Sequence, residues 1–304
     1  MANLKTIRKR ITSVKATQKI TKAMKMVAGA RLARAQQRIT ALRPYALKTH
    51  EILSGVATAM TLHQSDIEYS ERDKFEGLHS LLEKRPERNV LLIVLSGDRG
   101  LAGGFNANAS KAALAAWREK TDAGAKVQVA TIGKKGRDFL ARRKVTITRD
   151  FPKLLDGLDM AKARIVADWV TEKFVKAEVD SVYIVYNEFK SAMTQQIVTE
   201  PLLPVPEPPA RKEDALEPTE YIFEPSERLV LERLMPMFLE ISIYRALLES
   251  QASEYGARMT AMDSATRNAK DMIERLTLIY NRARQAAITK ELMEIIGGAE
   301  ALKE

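Results

Sequence analysis

The stretch MDSATRNAKDMIERLTLIYNRARQA, residues 262–286, decides the fold. Within it Met262, Ala265, Ala269, Met272, Leu276, Ile279, Ala283 and Ala286 step by alternating threes and fours without a miss. On an α-helix that spacing draws a narrow apolar seam along one side, the mark of a helix paired with another in a coiled coil. The many alanines let the partner approach closely. Flanking charges balance, with eight basic and eight acidic side chains between residues 254 and 304. From Met237 to Ile296 there is no proline and one glycine, so the helical pattern extends well beyond the quoted stretch.

The other end of the chain offers the partner. After a candidate N-cap at Asn3, apolar residues fall at Leu4, Ile7, Ile11 and Val14, then at Ile20, Met24, Val27 and Ala28, then at Leu32, Ala35, Ile39 and Leu42. This is a helical stripe with a phase slip near Gln18. Helical composition continues to about Ala59, and a helix of some 56 residues spans ~84 Å at about 1.5 Å per residue. Two such helices are too long for a globular domain to bury on all sides, and they are expected to pair antiparallel as a rod.

Charge separates the two ends. Residues 1–50 carry thirteen Lys or Arg and no Asp or Glu, which accounts for the whole net charge of +10 and leaves 36 basic against 39 acidic residues elsewhere. A mitochondrial transit peptide, a nucleic-acid arm and a helix running past acidic protein surface all fit such a segment. A transit peptide would end far sooner. A basic-region zipper would keep its cations apart from its heptads, whereas here they interleave with the stripe from Lys5 to Lys48. Acidic protein surface is the reading that fits. A nucleic-acid architectural protein is the alternative, and salt-sensitive DNA binding would reveal it.

Between the ends lies a different pattern. The β-rich runs NVLLIVL, KVQVATIG, VTITRDF, SVYIVYNEF and AMTQQIVTEPLL alternate with helical patterns at residues 105–120, 134–143 and 158–177. That alternation predicts βαβ units and a mainly parallel sheet. The expected fold is therefore an α/β Rossmann-like domain inserted between two long terminal helices forming an antiparallel coiled coil. Its expected divisions are residues 1–60, 61–225 and 226–304. The second connection, residues 201–225, holds seven of the eleven prolines and reads as an exposed, semi-rigid loop.

The loop SGDRGLAGG, residues 96–104, places four glycines in nine positions between a strand and a helix. A Walker loop needs a lysine followed by Ser or Thr, and a dinucleotide fingerprint needs G-x-G-x-x-G; neither is present. A tight turn is the expected role, with an α/β enzyme binding a ligand there as the competing reading. Asp98 and Arg99 form no catalytic set. Zero cysteines exclude disulfides and thiolate chemistry, and His50, His63 and His79 lie in or near expected loops without ligand spacing. No cofactor or metal is expected. No segment reaches the roughly 18 consecutive apolar residues of a membrane span.

Four segments together carry a resemblance: IRKRITSVKATQKITKAMKMVAGARL, SGDRGLAGGFN, YGARMTAMDSATRNA and the terminal RQAAITKELMEIIGGAEAL. They resemble the gamma subunits of F-type ATP synthases, the central rotor shaft. In the last segment Ile288, Thr289, Glu291, Glu294, Gly298 and Ala299 sit at the spacing of the family signature. Ala102 stands where the family often has cysteine, so regulatory thiols of the chloroplast type are absent.

The resemblance implies a non-catalytic subunit of a rotary ATP synthase. Its terminal coil would enter a ring of alpha and beta subunits, and its α/β domain would rest as a foot on the membrane c-subunit ring beside the epsilon subunit. It implies that Arg284 and Gln285 catch a loop of one beta subunit, and that the acidic loops of beta meet the first helix, Arg8, Lys9 and Arg10 among its cations. It implies that Tyr221 and Phe223 meet epsilon and the membrane ring. A peripheral place on the cytoplasmic face of a bacterial inner membrane would follow, with an organellar source left open. The smooth tip IIGGAEAL would serve as a bearing or as a frayed helix end stopped by Gly297 and Gly298.

Overall fold

The computed structural model describes residues 4–65, 80–205, 224 and 227–301. Two long helices bracket the chain, α1 (Leu4–Ser65) and α5 (Glu227–Ala301). Between them run β1 (Asn89–Leu95), α2 (Phe105–Asp122), β2 (Lys126–Ile132), α3 (Lys134–Ala141), β3 (Ile147–Phe151), α4 (Met160–Val175), β4 (Ser181–Phe189) and β5 (Gln195–Leu203). Pro44 and Pro236 lie inside α1 and α5, and neither ends its helix. His50 and His63 belong to α1 rather than to loops, because the helix continues past the point where its apolar stripe fades. His79 and the candidate N-cap Asn3 fall outside the described residues.

The chain divides into two compact units, residues 31–257 and residues 1–30 with 258–304. The first is built on a five-stranded sheet of order β3-β2-β1-β4-β5. Its first four strands are parallel and β5 joins antiparallel to β4. β1 is central and buried over six of its seven residues. Its uninterrupted apolar run follows from that place, since a parallel strand covered on both faces has no polar side to show.

Successive residues of β1 feed different cores. Leu91, Ile93 and Leu95 pack with Val166, Val170 and Phe174 of α4 and with Met235, Leu239, Ile243 and Leu247 of α5. Leu92 and Val94 pack on the other face with Ala113 and Leu114 of α2 and Leu140 of α3. α4 starts where Asp159 accepts a hydrogen bond from the Lys162 amide at 3.0 Å, a side-chain N-cap.

The second unit is a pair of antiparallel helical segments. Lys25 meets Asp263, the hydroxyls of Thr21 and Thr266 are 2.8 Å apart, and a Cβ on Gly29 would stand 3.4 Å from the Met259 sulfur. The sequence numbers of these partners run in opposite directions, which fixes the pairing as antiparallel.

Both expected stripes need a correction of phase. On α1 the seam runs through Leu4, Ile7, Ile11, Val14, Gln18, Thr21, Lys25, Ala28, Leu32, Ala35, Ile39, Leu42, Ala46 and Thr49, with the expected Met24 and also Gly29 partly shielded beside it. This is an unbroken alternation of threes and fours, with no slip at Gln18. The apolar reading misses it because two polar residues, Gln18 and Thr21, occupy the seam while Ile20 and Val27 are exposed. On α5 the seam runs through Met262, Thr266, Ala269, Ile273, Leu276, Tyr280, Ala283 and Ala287. Met272, Ile279 and Ala286 lie outside it. Two seams share Met262, Ala269, Leu276 and Ala283, and α1 lies on the Thr266 side, as its contact with Thr21 requires. Past Ala287 the helix does not stop at Gly297 and Gly298 but continues to Ala301.

Candidate partner-binding interface

The glycine loop is the natural place to look for a ligand, and several of its polar groups are taken internally. The Gly97 amide donates to the Asn106 side chain at 2.8 Å, and the Asn106 amide nitrogen donates to the Arg99 carbonyl at 3.0 Å. The start of α3, which would attract an anion, is capped from this loop. Asp98 accepts from the Lys134 amide at 2.9 Å, and Ser96 Oγ accepts from the Gly136 amide at 2.8 Å. A carboxylate of the chain itself thus stands where a phosphate would stand. Opposite Ser96, Gly133 has φ +98°, and a Cβ there would fall 2.0 Å from the Ser96 carbonyl oxygen. On its other side the loop packs against α5: Ala102, Phe105 and Ala257 form a small core, and Gly97 faces the Glu254 carboxyl. The loop is a joint. Among the described residues no group of His, Cys, Asp and Glu is arranged to hold a metal ion.

The outward chemistry lies on the coil. Arg8, Lys9 and Arg10 are exposed, while Ile7 beside them is buried in the seam. Lys25 is half-shielded and ion-paired with Asp263, whose carboxyl is held below its ordinary value of 3.8 by that hydrogen bond. Arg284 and Gln285 are both exposed, flanked by the seam residues Ala283 and Ala287. They lie on one stretch of α5, remote in sequence from Arg8, Lys9 and Arg10. Tyr221 and Phe223 lie outside the described residues.

Sequence reasoning missed a second feature of this surface. Ile20, Met26, Val27, Met272, Leu278 and Ile279 are at least half exposed, and Ile288, Leu292, Met293, Ile295 and Ile296 continue the set along α5. With Thr21 opposite Thr266 and Lys25 opposite Asp263, Leu4 comes about level with Ala283, so α1 offers no cover to the residues beyond. Apolar side chains displayed in such numbers beside rows of cations mark a surface that another protein covers. The signal was present as an excess of apolar residues over the seam positions available to hold them. Among the described residues no helix is long and apolar enough to cross a membrane.

A sheet unit whose glycine loop packs on the chain's own side chains, and a coiled-coil unit whose outer face is cationic and apolar, are the features of a subunit that works inside a larger assembly. Comparison with known proteins identifies the assembly. The family model described as ATP synthase matches residues 3–302. The ATP synthase gamma chains of Sorangium cellulosum and Geobacter metallireducens are 51% and 49% identical over the full length of both chains. Among solved structures, a central stalk chain of the Tetrahymena thermophila mitochondrial ATP synthase has a TM-score of 0.58 at 23% identity, covering 81% of this chain and 99% of that one. A rotor chain of the Euglena gracilis mitochondrial enzyme has a TM-score of 0.61 at 18% identity, covering 94% and 98%. The chain belongs to the ATP synthase gamma chain family, the central-stalk rotor subunits of that enzyme, and catalysis takes place elsewhere in the complex.

Proposed function

We propose that this chain couples ion flow through a membrane c-subunit ring to ATP synthesis or hydrolysis by turning inside the catalytic ring of alpha and beta subunits. The observation that carries the reading is the coil surface: large apolar side chains and cations face outward, and the two helices of the pair have different sequences. A shaft without rotational symmetry meets each surrounding catalytic subunit with a different face. Each rotor angle then favours a different open or closed state at each site by differential contact energy. Contacts equal in all states would shift nothing.

In this reading Arg284 and Gln285 hold a loop of one beta subunit, and Arg8, Lys9 and Arg10 face acidic loops of beta. Tyr221 and Phe223 meet epsilon and the membrane ring, and the body, residues 61–225, is the foot between the terminal helices 1–60 and 226–304. The chain sits peripherally, on the cytoplasmic face of a bacterial inner membrane. Nucleic acid is not a partner, because the cations interleave with a coiled-coil seam instead of forming a separate basic block.

The test is Arg284→Ala with Gln285→Ala in the assembled complex. An arginine fork holds a carboxylate in one orientation and releases it in the next, which alanine cannot do. Complex yield should match the parent while ATP turnover and single-molecule torque fall several-fold. Parental turnover and torque at parental yield would make the pair ordinary surface, whose loss costs less than ~1 kcal/mol.

A further inference from the structure

A cavity of about 430 Å³ opens in the larger unit between α1, the β4–β5 pair and α5. That volume suits a small organic molecule. Its apolar wall is made by Ile39, Leu42 and Ala46 of α1 and by Phe238, Ile241 and Leu248 of α5. The remaining wall is charged. Arg245 of α5 pairs with Glu200 of β5, and the Tyr186 hydroxyl of β4 donates to the same carboxylate at 2.8 Å. Glu188 of β4 pairs with Lys190 at 2.7 Å. Arg43, exposed on α1, lines the cavity as well.

Glu249, one turn along α5 from Arg245, is the carboxylate left over. Its Oε2 is buried and has no hydrogen-bond partner. Burial raises its pKa to about 7; Arg245 and Lys190 oppose the shift, and Glu188 and Glu200 reinforce it. A buried carboxylate oxygen without a hydrogen-bond partner is costly, and either a proton or an incoming cation relieves it. A bare metal ion would leave the apolar wall unused, and its neighbours Glu200 and Glu188 are already paired.

We propose that this cavity is a binding site for an organic cation, a protonated amine or amidinium carried on an apolar body, with the cation against Glu249 and the body against the apolar side chains of α1 and α5. Such a ligand would bridge the two terminal helices and the sheet at one point. Ionisation of Glu249 is then part of recognition. A primary amine keeps its charge from pH 6 to 8, with a pKa near that of lysine at roughly 10, whereas Glu249 goes from mostly neutral to mostly ionised over the same range.

The experiment titrates the full-length chain with 4-phenylbutylamine, 4-phenylbutan-1-ol and 4-phenylbutyrate by calorimetry. At pH 8 the amine should bind at least about tenfold more tightly than the alcohol, and its affinity should fall about tenfold on going to pH 6. E249Q should bring the amine down to the level of the alcohol at both pH values. A46F, which fills the cavity from the opposite wall, should abolish binding of both. Equal affinity of amine and alcohol, an affinity indifferent to pH, or the absence of amine binding would overturn the site. Tighter binding of 4-phenylbutyrate would also overturn it, by giving control of the cavity to Arg43. If E249Q does not fold, the pH series on the parent chain decides the matter.

Discussion

The two compact units differ in what they leave uncovered. In residues 31–257 the fully covered set includes Leu91, Ile93, Leu95, Phe174 and Tyr186, the large residues of the strands and α4. In the coil the covered set includes Ile7, Thr21, Ala28, Met262 and Ala269, while Ile20, Met26, Leu278, Met293 and Ile295 are 60% exposed or more. The sheet unit is a finished protein in the ordinary sense, with its apolar payload inside. The coil admits small and polar residues to its seam beside Ile7 and Met262, and it displays many large apolar ones. It is half of an interface, and its stability as an isolated piece and its function in a complex should respond to different substitutions.

Substitution in the sheet unit should break that comparison most severely. Gly133→Val puts a branched side chain at a positive φ and against the Ser96 carbonyl oxygen, so neither the backbone nor the neighbour can yield cheaply. We expect a loss on the order of 3 kcal/mol or more, read by denaturant unfolding of the full-length chain. A loss below about 1 kcal/mol would mean that the α3 junction is not rigid.

Smaller effects belong to the coil. Thr21→Val and Thr266→Val should each cost about 1 kcal/mol or less, and the double variant should cost less than their sum, because both ends of the hydrogen bond are then replaced together. Strict additivity in this cycle would show that the two hydroxyls do not interact.

The Lys25–Asp263 pair gives a pH signature. The Asp263 pKa is lowered in the folded chain, so its contribution is in place above 3.8 and is lost as pH falls through the lower, folded value. Asp263→Asn should remove that acid-side loss from the unfolding profile of the coil, and at neutral pH it should lower stability slightly, to about the level the parent reaches once Asp263 is protonated. A parental profile in the variant would assign the acid sensitivity elsewhere.

Reversing Arg8, Lys9 and Arg10 to Glu should be the quietest change in the isolated chain, within about 0.5 kcal/mol, since all three are exposed. Assembly with the catalytic ring should nevertheless slow, most of all at low salt, where long-range attraction is least screened. Assembly rates indifferent to ionic strength would remove the electrostatic role.

What the sequence reveals differs between the same two regions. The five strands and three short helices of the sheet unit are legible because runs such as NVLLIVL have one way to be buried, between two layers of helix. The existence of both long helices is legible too. Their facing is less so: Met272 and Ile279 are as apolar as Ile273 and Tyr280, and a sequence carries no mark saying which row meets α1 and which is left for a partner. Gln18 and Thr21 mislead in the same way, since a polar seam residue reads as a break in the stripe. Asp98 could be recognised as a charged loop residue but not as the cap of α3, because its partner Lys134 lies 36 positions on.

The hydroxyl pair of Thr21 and Thr266 has a mechanical consequence. A heptad seam repeats every seven residues, so two helices under load have a neighbouring setting one heptad away in which apolar residues again meet apolar residues. In that setting Thr266 would face Val14 or Ala28, and Asp263 would lose Lys25. The polar pair therefore acts as a detent that gives the two strands of the shaft one seat instead of several. A drive shaft with several seats has backlash: part of each turn is absorbed as sliding between its own strands. A single off-centre hydroxyl contact removes that play at the cost of a slightly weaker seam.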